Sequence, residues 1–352
     1  MKRLIALFLS AVMCLFVFAA CDNGGEATST PEAESSLTDN SVAESNVDES
    51  KVEEKTVIRI AGMKGPTSIG LVGIMEDDAN GVASNDYEFT LAGTADEISP
   101  KLIKGELDIA AVPANLASVL YNKTEGKVQL LAVNTLGVLY IVSKGEDINS
   151  LEDLRGKTIL ATGKGTTPEY TLRHILDKNG INPDTDVTLD FKSEATEVVA
   201  AMSQSESAVA MLPQPYVTVA SNKIEGLKTV IDLNEEWKKI NKDSGIVTGV
   251  VVVRKEFAEA NPEAVKAFLG EYHISINTVN EDASAAAALV AKHGIFDNEA
   301  VIAKAIPYCN ITYIAGEAMK EPVGTYLGVL YEQNAQSVGG KLPDENFYYI
   351  AE

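Results

Sequence analysis

Two stretches, VIRIAGMKGPTS at residues 57–68 and KTILATGKGTTP at residues 157–168, share one plan. Each is a short β-branched run that ends in Lys-Gly and then in residues that start helices, Lys64-Gly65-Pro66-Thr67 in the first and Lys164-Gly165-Thr166-Thr167 in the second. A strand running directly into a helix is the unit of α/β folds with largely parallel sheets. Its appearance at two matching places predicts two α/β series, hence two lobes.

The flanking sequence continues both series. After Val57 to Ala61, the pattern predicts a helix over Ile69 to Met75, a strand over Tyr87 to Leu91, a helix over Ile98 to Ile103 and a strand over Leu107 to Val112. A helix at Leu116 to Tyr121 and strands at Val128 to Val133 and Val138 to Val142 follow. After a charged link at Lys144 to Asp153, the second series runs from Lys157 to Ile240, and Gly249 to Val253 is a strand too apolar to face water on either side. From Pro262 the pattern is mostly helical, with Val265, Phe268, Leu269, Tyr272, Ile276 and Val279 forming one apolar stripe and Met319, Val323, Leu327, Leu330 and Tyr331 another. The expected organisation is lobe 1 from 56–143 and 249–352, lobe 2 from 144–248, and a hinge of two crossings near Ser143 to Asp147 and Ser244 to Gly249. Such lobes close around a ligand by rotating about a few residues at element ends.

In open parallel sheets ligands bind beyond the carboxyl ends of the strands, where helix starts present unpaired N–H groups. The candidate binding residues are therefore Gly65, Pro66, Thr67 and Ser68 at the first turn and Gly165, Thr166 and Thr167 at the second, with Thr167 as N-cap and Pro168 at the first helical position. Two such N-termini facing one cleft favour a small anion or a group with strong acceptors. Three further loops after strand ends add Asn115, Thr135, Gln214 and Tyr216. Ordinary capping and packing roles are the alternative for each of these residues.

No catalytic constellation accompanies them. His174, His273 and His293 have no His-x-x-x-His or Cys-x-x-Cys companion, and neither a Gly-x-Ser-x-Gly elbow nor a Walker loop occurs. The chain reads as a non-enzyme that needs no cofactor or metal. Trp237, the sole tryptophan, lies among charges and reads as a lobe-surface anchor, and Cys309 as a small buried residue.

With 29 Lys+Arg against 51 Asp+Glu, the chain carries a formal charge of −22, which excludes an ordinary nucleic-acid binder. Residues 22–55 hold ten acids, two bases and no aromatic residue, the composition of a disordered acidic tether. Before them, Lys2 and Arg3 precede an apolar run from Leu4 to Ala20, which reads as a signal peptide over residues 1–20. Phe18-Ala19-Ala20-Cys21 resembles a bacterial lipobox, which implies that Cys21 carries lipid and anchors the protein to the extracytoplasmic face of the cell membrane through the 21–55 tether. Cleavage that leaves Cys21 unmodified is the alternative.

From about Val57 to Tyr349 the sequence resembles the solute-binding components of bacterial ABC importers, in the nitrate/sulfonate/taurine group that also includes thiamine-precursor binders. The resemblance is carried by Gly65-Pro66-Thr67-Ser68 after the first strand, by Lys101 through Ala110, by Leu154-Arg155-Gly156-Lys157-Thr158-Ile159, and by Pro213-Gln214-Pro215-Tyr216. It implies a periplasmic-binding-protein fold of the second type, with a small anionic or polar organic solute between the lobes. The implied partners are an ABC permease and its ATPase, and the protein is expected to be a monomer. An enzyme of the same fold, a binder of a thiamine-precursor-like pyrimidine, and a ligand sensor without transport remain the alternatives.

Overall fold

A computed structural model describes residues 55–242 and 244–351. The signal-like segment, Cys21 and nearly all of the acidic stretch lie outside the described residues.

Two sheets organise the described chain. The first contains β1 (Val57–Met63), β2 (Asp86–Ala92), β3 (Ile109–Pro113) and β4 (Val128–Thr135). The second contains β5 (Leu139–Lys144), β6 (Thr158–Ala161), β7 (Thr188–Phe191), β8 (Ala208–Pro213) and β9 (Lys228–Asp232). The chain then returns to the first sheet with β10 (Gly249–Arg254) and β11 (Ile311–Ala315). Strand orders are β11-β4-β10-β3-β1-β2 and β7-β6-β8-β5-β9, a two-sheet mixed α/β fold.

The apolar run at 249–253 explains the first sheet. β10 inserts antiparallel between β3 and β4, with Val250 opposite both Val112 and Val133. Alternate side chains of a strand point to opposite faces, so Val250 and Val252 enter one core with Val112 and Val133. Val251 and Val253 enter the other, with Ala111 and Leu131. Helices cover both faces, and β10 meets water on neither.

Several expectations need correction. The sheets are mixed rather than largely parallel, because β10 and β11 run antiparallel in the first and β5 runs antiparallel to β8 and β9 in the second. The strand over Leu139–Lys144, expected in lobe 1, belongs to the second sheet, so the first crossing falls at 136–138, upstream of Ser143. The single helix expected over Ile69 to Met75 is two, Pro66–Ile69 and Val72–Ala79. The interruption includes Gly70, where an added Cβ would lie 2.8 Å from Ile276 Cγ1, so the backbone here is pressed against the helix Pro262–Glu281. The helix Tyr216–Lys223 has no counterpart among the expected elements, and the strand β11 falls in the region expected to be mostly helical.

The crossings are tied to each other and to both lobes. Thr248 N donates to Thr135 O at 3.0 Å, and Leu136 N to Asn310 O at 3.0 Å. Asn234, 2% exposed, accepts the Ile246 N–H on Oδ1 at 2.9 Å, and Asn310 Nδ2 donates to Gly137 O at 2.5 Å. Both crossing segments therefore depend on asparagine side chains from outside them.

Candidate functional site

β1 ends in a turn that only glycine accommodates: Gly65 has φ 124° and ψ −162°, and it caps the four-residue helix Pro66–Ile69. Ser68 is fully buried and donates from Oγ to Met63 O at 2.6 Å, so its hydroxyl closes the turn from inside. Asn134 Nδ2 holds the same turn by donating to Thr67 O at 3.0 Å. Thr135, also buried, donates its hydroxyl to Asn134 Oδ1 at 2.9 Å and so orients that amide.

Opposite this turn is the loop after β8. Gln214 N donates to Val138 O at 2.9 Å, the Gln214–Pro215 peptide is cis, and Tyr216 opens the next helix. The Gln214 side chain is 4% exposed, and its Oε1 accepts from Thr218 Oγ1 at 2.9 Å. That bond engages Oε1, and Gln214 lines both the cavity between turn and loop and the neighbouring pocket beside Thr218.

Between turn and loop lies a cavity of about 530 Å³. Lys64, Gly65, Pro66 and Thr67 line it from lobe 1, and Pro213, Gln214, Pro215 and Tyr216 from lobe 2. Val138 and Thr248, one from each crossing, complete the hinge side. A third wall, Gly294 to Asn298, comes from the segment before the helix Glu299–Ala305, which Asn298 caps by accepting Val301 N–H at 3.0 Å. Sequence reasoning missed this wall. Its signal was the turn pair Asp297-Asn298 behind Gly294, inside a region read as helical.

Gly65, Pro66, Thr67, Gln214 and Tyr216 are thus brought together at one cavity. Ser68, Asn115, Thr135, Gly165, Thr166 and Thr167 are not among the residues lining it. Asn115 Nδ2 instead donates to Ser337 O at 3.2 Å. At the second turn the N-cap is Thr166, one residue before the expected Thr167, and Thr166 Oγ1 donates to Gly163 O at 2.6 Å. The N–H of Gly165, expected to meet a ligand, donates to Glu169 Oε2 at 2.6 Å. Glu169 is 8% exposed and is paired in turn with Arg173 at 2.7 Å. This helix start already holds its own anion. The first helix, at four residues, is too short to build a macrodipole, so the two-dipole argument for an anion loses both supports.

The lobes also touch on both sides of the cavity. Tyr140 donates its hydroxyl to Tyr308 O at 2.8 Å, and Lys304 Nζ donates to Asn222 Oδ1 at 3.3 Å. On the other flank Asn334 Nδ2 donates to Tyr170 Oη at 2.9 Å, and Tyr326 Oη lies 3.5 Å from Thr171 Oγ1. Trp237 belongs to this flank. It is fully buried between His174 and Tyr326, at ring separations of 4.9 and 5.5 Å, and is not the surface anchor expected from its neighbours. Those neighbours pair with each other on the outer face, Glu235 with Lys238 and Glu236 with Lys239, and leave the indole pointing inward. Burial lowers the pKa of His174 and pushes the thiol of fully buried Cys309 up to about 12, which keeps that sulfur protonated at neutral pH.

Two α/β lobes around a hinge-side cavity form an arrangement that can hold a small solute between them. The family described as ABC transporter, phosphonate, periplasmic substrate-binding protein matches residues 81–295, and the chain belongs to it. Solved structures agree on the fold. An ABC transporter protein from Parabacteroides distasonis superposes with TM-score 0.71 at 24% identity, covering 85% of this chain and 100% of that one. The periplasmic aliphatic sulphonate binding protein SsuA of Escherichia coli gives 0.64 at 16% identity, over 83% and 93% of the two chains. The periplasmic nitrate-binding protein NrtA of Synechocystis gives 0.53 at 14%, over 83% and 92%. Among curated sequences, a Brucella abortus chain named as a binding protein is 27% identical over 147 residues, which is 42% of this chain and 44% of that one. The match thus spans under half the length of that relative.

Proposed function

We propose that the protein captures a small polar or anionic organic solute between its lobes and delivers it to an ABC permease driven by its ATPase. The observation that carries this reading is the cavity bounded by Thr67 on one lobe, Gln214 and Tyr216 on the other, and both crossings behind it. A solute seated there touches both lobes at once, so its binding favours the closed arrangement by its differential contacts with the two states. Among the described residues Lys64 is the sole cationic side chain lining the cavity, and in this reading the Gln214 amide and the Thr67 hydroxyl join it as donors to an acceptor head.

In this reading the protein works as a monomer at the extracytoplasmic face, held by lipid on Cys21 through the acidic segment 21–55. Lobe 1 then comprises 56–138 and 249–352, following the observed position of β5. The test is a thermal-melt screen over sulfonates, phosphonates, nitrate, carboxylates, pyrimidines and amines. A ligand that binds only the folded state adds about 2.7 kcal/mol at a hundredfold excess over Kd. The stabilisation should vanish in Gln214→Ala and Thr67→Val variants that melt normally without ligand. Stabilisation that survives both substitutions moves the site out of this cavity.

A further inference from the structure

The cavity between the lobes is unlike a site for a compact, multiply charged oxyanion. Its walls are mainly apolar: Pro66, Val138 and Ile295, two prolines of the β8 loop, and two aromatic rings, Phe296 from lobe 1 and Tyr216 from lobe 2. Its charged side chains are one of each sign, Lys64 and Asp297, both exposed. Among the described residues no arginine lines it. Taking a dianion out of water requires several charge-assisted donors, because an ion buried without them is strongly disfavoured. The backbone donor that the second helix start could have lent, Gly165 N–H, is held by Glu169. Size argues in the same direction, since cavities of roughly 300–1,000 Å³ hold drug-sized organic molecules. The cavity here measures about 530 Å³.

We infer that the solute is an organic molecule with an apolar body, carried between Phe296 and Tyr216, and at most one ionised head, carried at Lys64 and Gln214. The inference rests on the interlobe reading of function and narrows it. Nitrate and phosphate present no apolar body and methylphosphonate only a methyl group, so none of them matches the apolar lining and none is the principal solute in this reading.

The experiment is isothermal titration of the full chain carrying Cys21→Ser with methane-, butane-, hexane- and benzenesulfonate, and with methylphosphonate and nitrate. Within the sulfonates the head is constant and the body grows, so affinity should rise by about fourfold per buried methylene. Phe296→Ala should cost about tenfold or more for the hexyl and phenyl compounds and little for the methyl one, while Phe296→Leu restores part of the loss. Melting curves of both variants establish that they fold. A flat series, or tighter binding of methylphosphonate or nitrate than of any long-bodied sulfonate, overturns the inference. If that tight binding is lost in Gln214→Ala, the interlobe reading of function stands without it. Failure of every compound to bind counts against both.

Discussion

The carboxylate of Glu169 accepts the Gly165 backbone N–H at 2.6 Å, so the second helix start is capped by a residue of its own first turn. Gly165 has φ +71° with open space where a Cβ would stand. Its glycine is needed for backbone conformation and not for the approach of a ligand. Gly165→Ala should therefore cost about 1–2 kcal/mol through the left-handed φ alone. Solute affinity should stay unchanged. Denaturant melts and titration of one protein sample read the two quantities separately, and a loss of affinity would return this turn to the binding site.

Gly249 behaves in the opposite way. A Cβ there would sit 2.5 Å from both Thr67 Cγ2, on the lobe 1 wall of the cavity, and Asn134 Oδ1, whose amide holds Thr67 from behind. Gly249→Ala must displace Thr67 or break its bond from Asn134. The expected outcome is destabilisation of about 1–3 kcal/mol, the range for overpacking, together with weaker solute binding. Equal affinity in the variant would show that Thr67 does not contact the solute.

Asp108 is 1% exposed and sits between two arginines: Arg59 donates from N, Nε and Nη2 at 3.0, 2.8 and 2.7 Å, and Arg254 from Nη2 at 2.9 Å. Burial pushes the carboxyl pKa up, but the guanidinium groups outweigh it and hold the pKa below the usual value. A depressed folded-state pKa means that the stabilisation is present above the unfolded value and is lost as pH falls through the folded one. Removing one partner of a buried pair costs about 3–5 kcal/mol, and the partial exposure of Arg59 places Asp108→Ala near the lower end. Stability measured from pH 7 down to below pH 4 should fall less steeply in the variant than in the parent protein.

How far the sequence could be read follows from the range of the forces involved. β10 was legible because five consecutive apolar residues leave a strand no wet face, and the turn at Gly65 because Gly-Pro-Thr is a local helix-start signal. The assignment of Leu139–Lys144 was not legible, since its pairing with β8 and β9 involves residues 64 to 92 positions away. At Gly165 the local signal was read correctly as a helix start, yet its meaning depended on whether Glu169 turns back or faces outward. Phe296 was missed for a related reason: a single aromatic residue in a helical region becomes a cavity wall only once the lobes are placed.

Cys21 lies outside the described residues, and its lipidation is tested on cells. If lipid on Cys21 is the anchor, as proposed, Cys21→Ser should shift the protein from the membrane to the soluble fraction. Among the described residues no helix is long and apolar enough to cross a membrane. A variant that stays membrane-bound and is processed as before would rule out lipid at this position.

The sole tryptophan provides a direct reading of lobe closure. Trp237 stands on lobe 2, fully buried, with the ring of Tyr326 from the helix Lys320–Gln333 edge-on at 5.5 Å. That helix packs on the helix Ala114–Lys123 of lobe 1 and on the helix Thr167–Lys178 of lobe 2; if it moves with lobe 1, separation of the lobes about residues 136–138 and 245–248 would strip the indole of Tyr326 and admit water. Its Nε1 has no hydrogen-bond partner among the described residues. A buried polar group left unpaired costs about 1–3 kcal/mol, which entry of water beside the indole on opening would relieve. Emission from the solute-free protein should therefore be red-shifted and readily quenched by acrylamide, and saturating solute should reverse both effects. Tyr326→Ala should leave the solute-bound form red-shifted as well, because the cavity beside the indole then fills with water. Identical spectra and quenching with and without a solute that binds, measured by titration, would mean that the lobes do not separate on this flank.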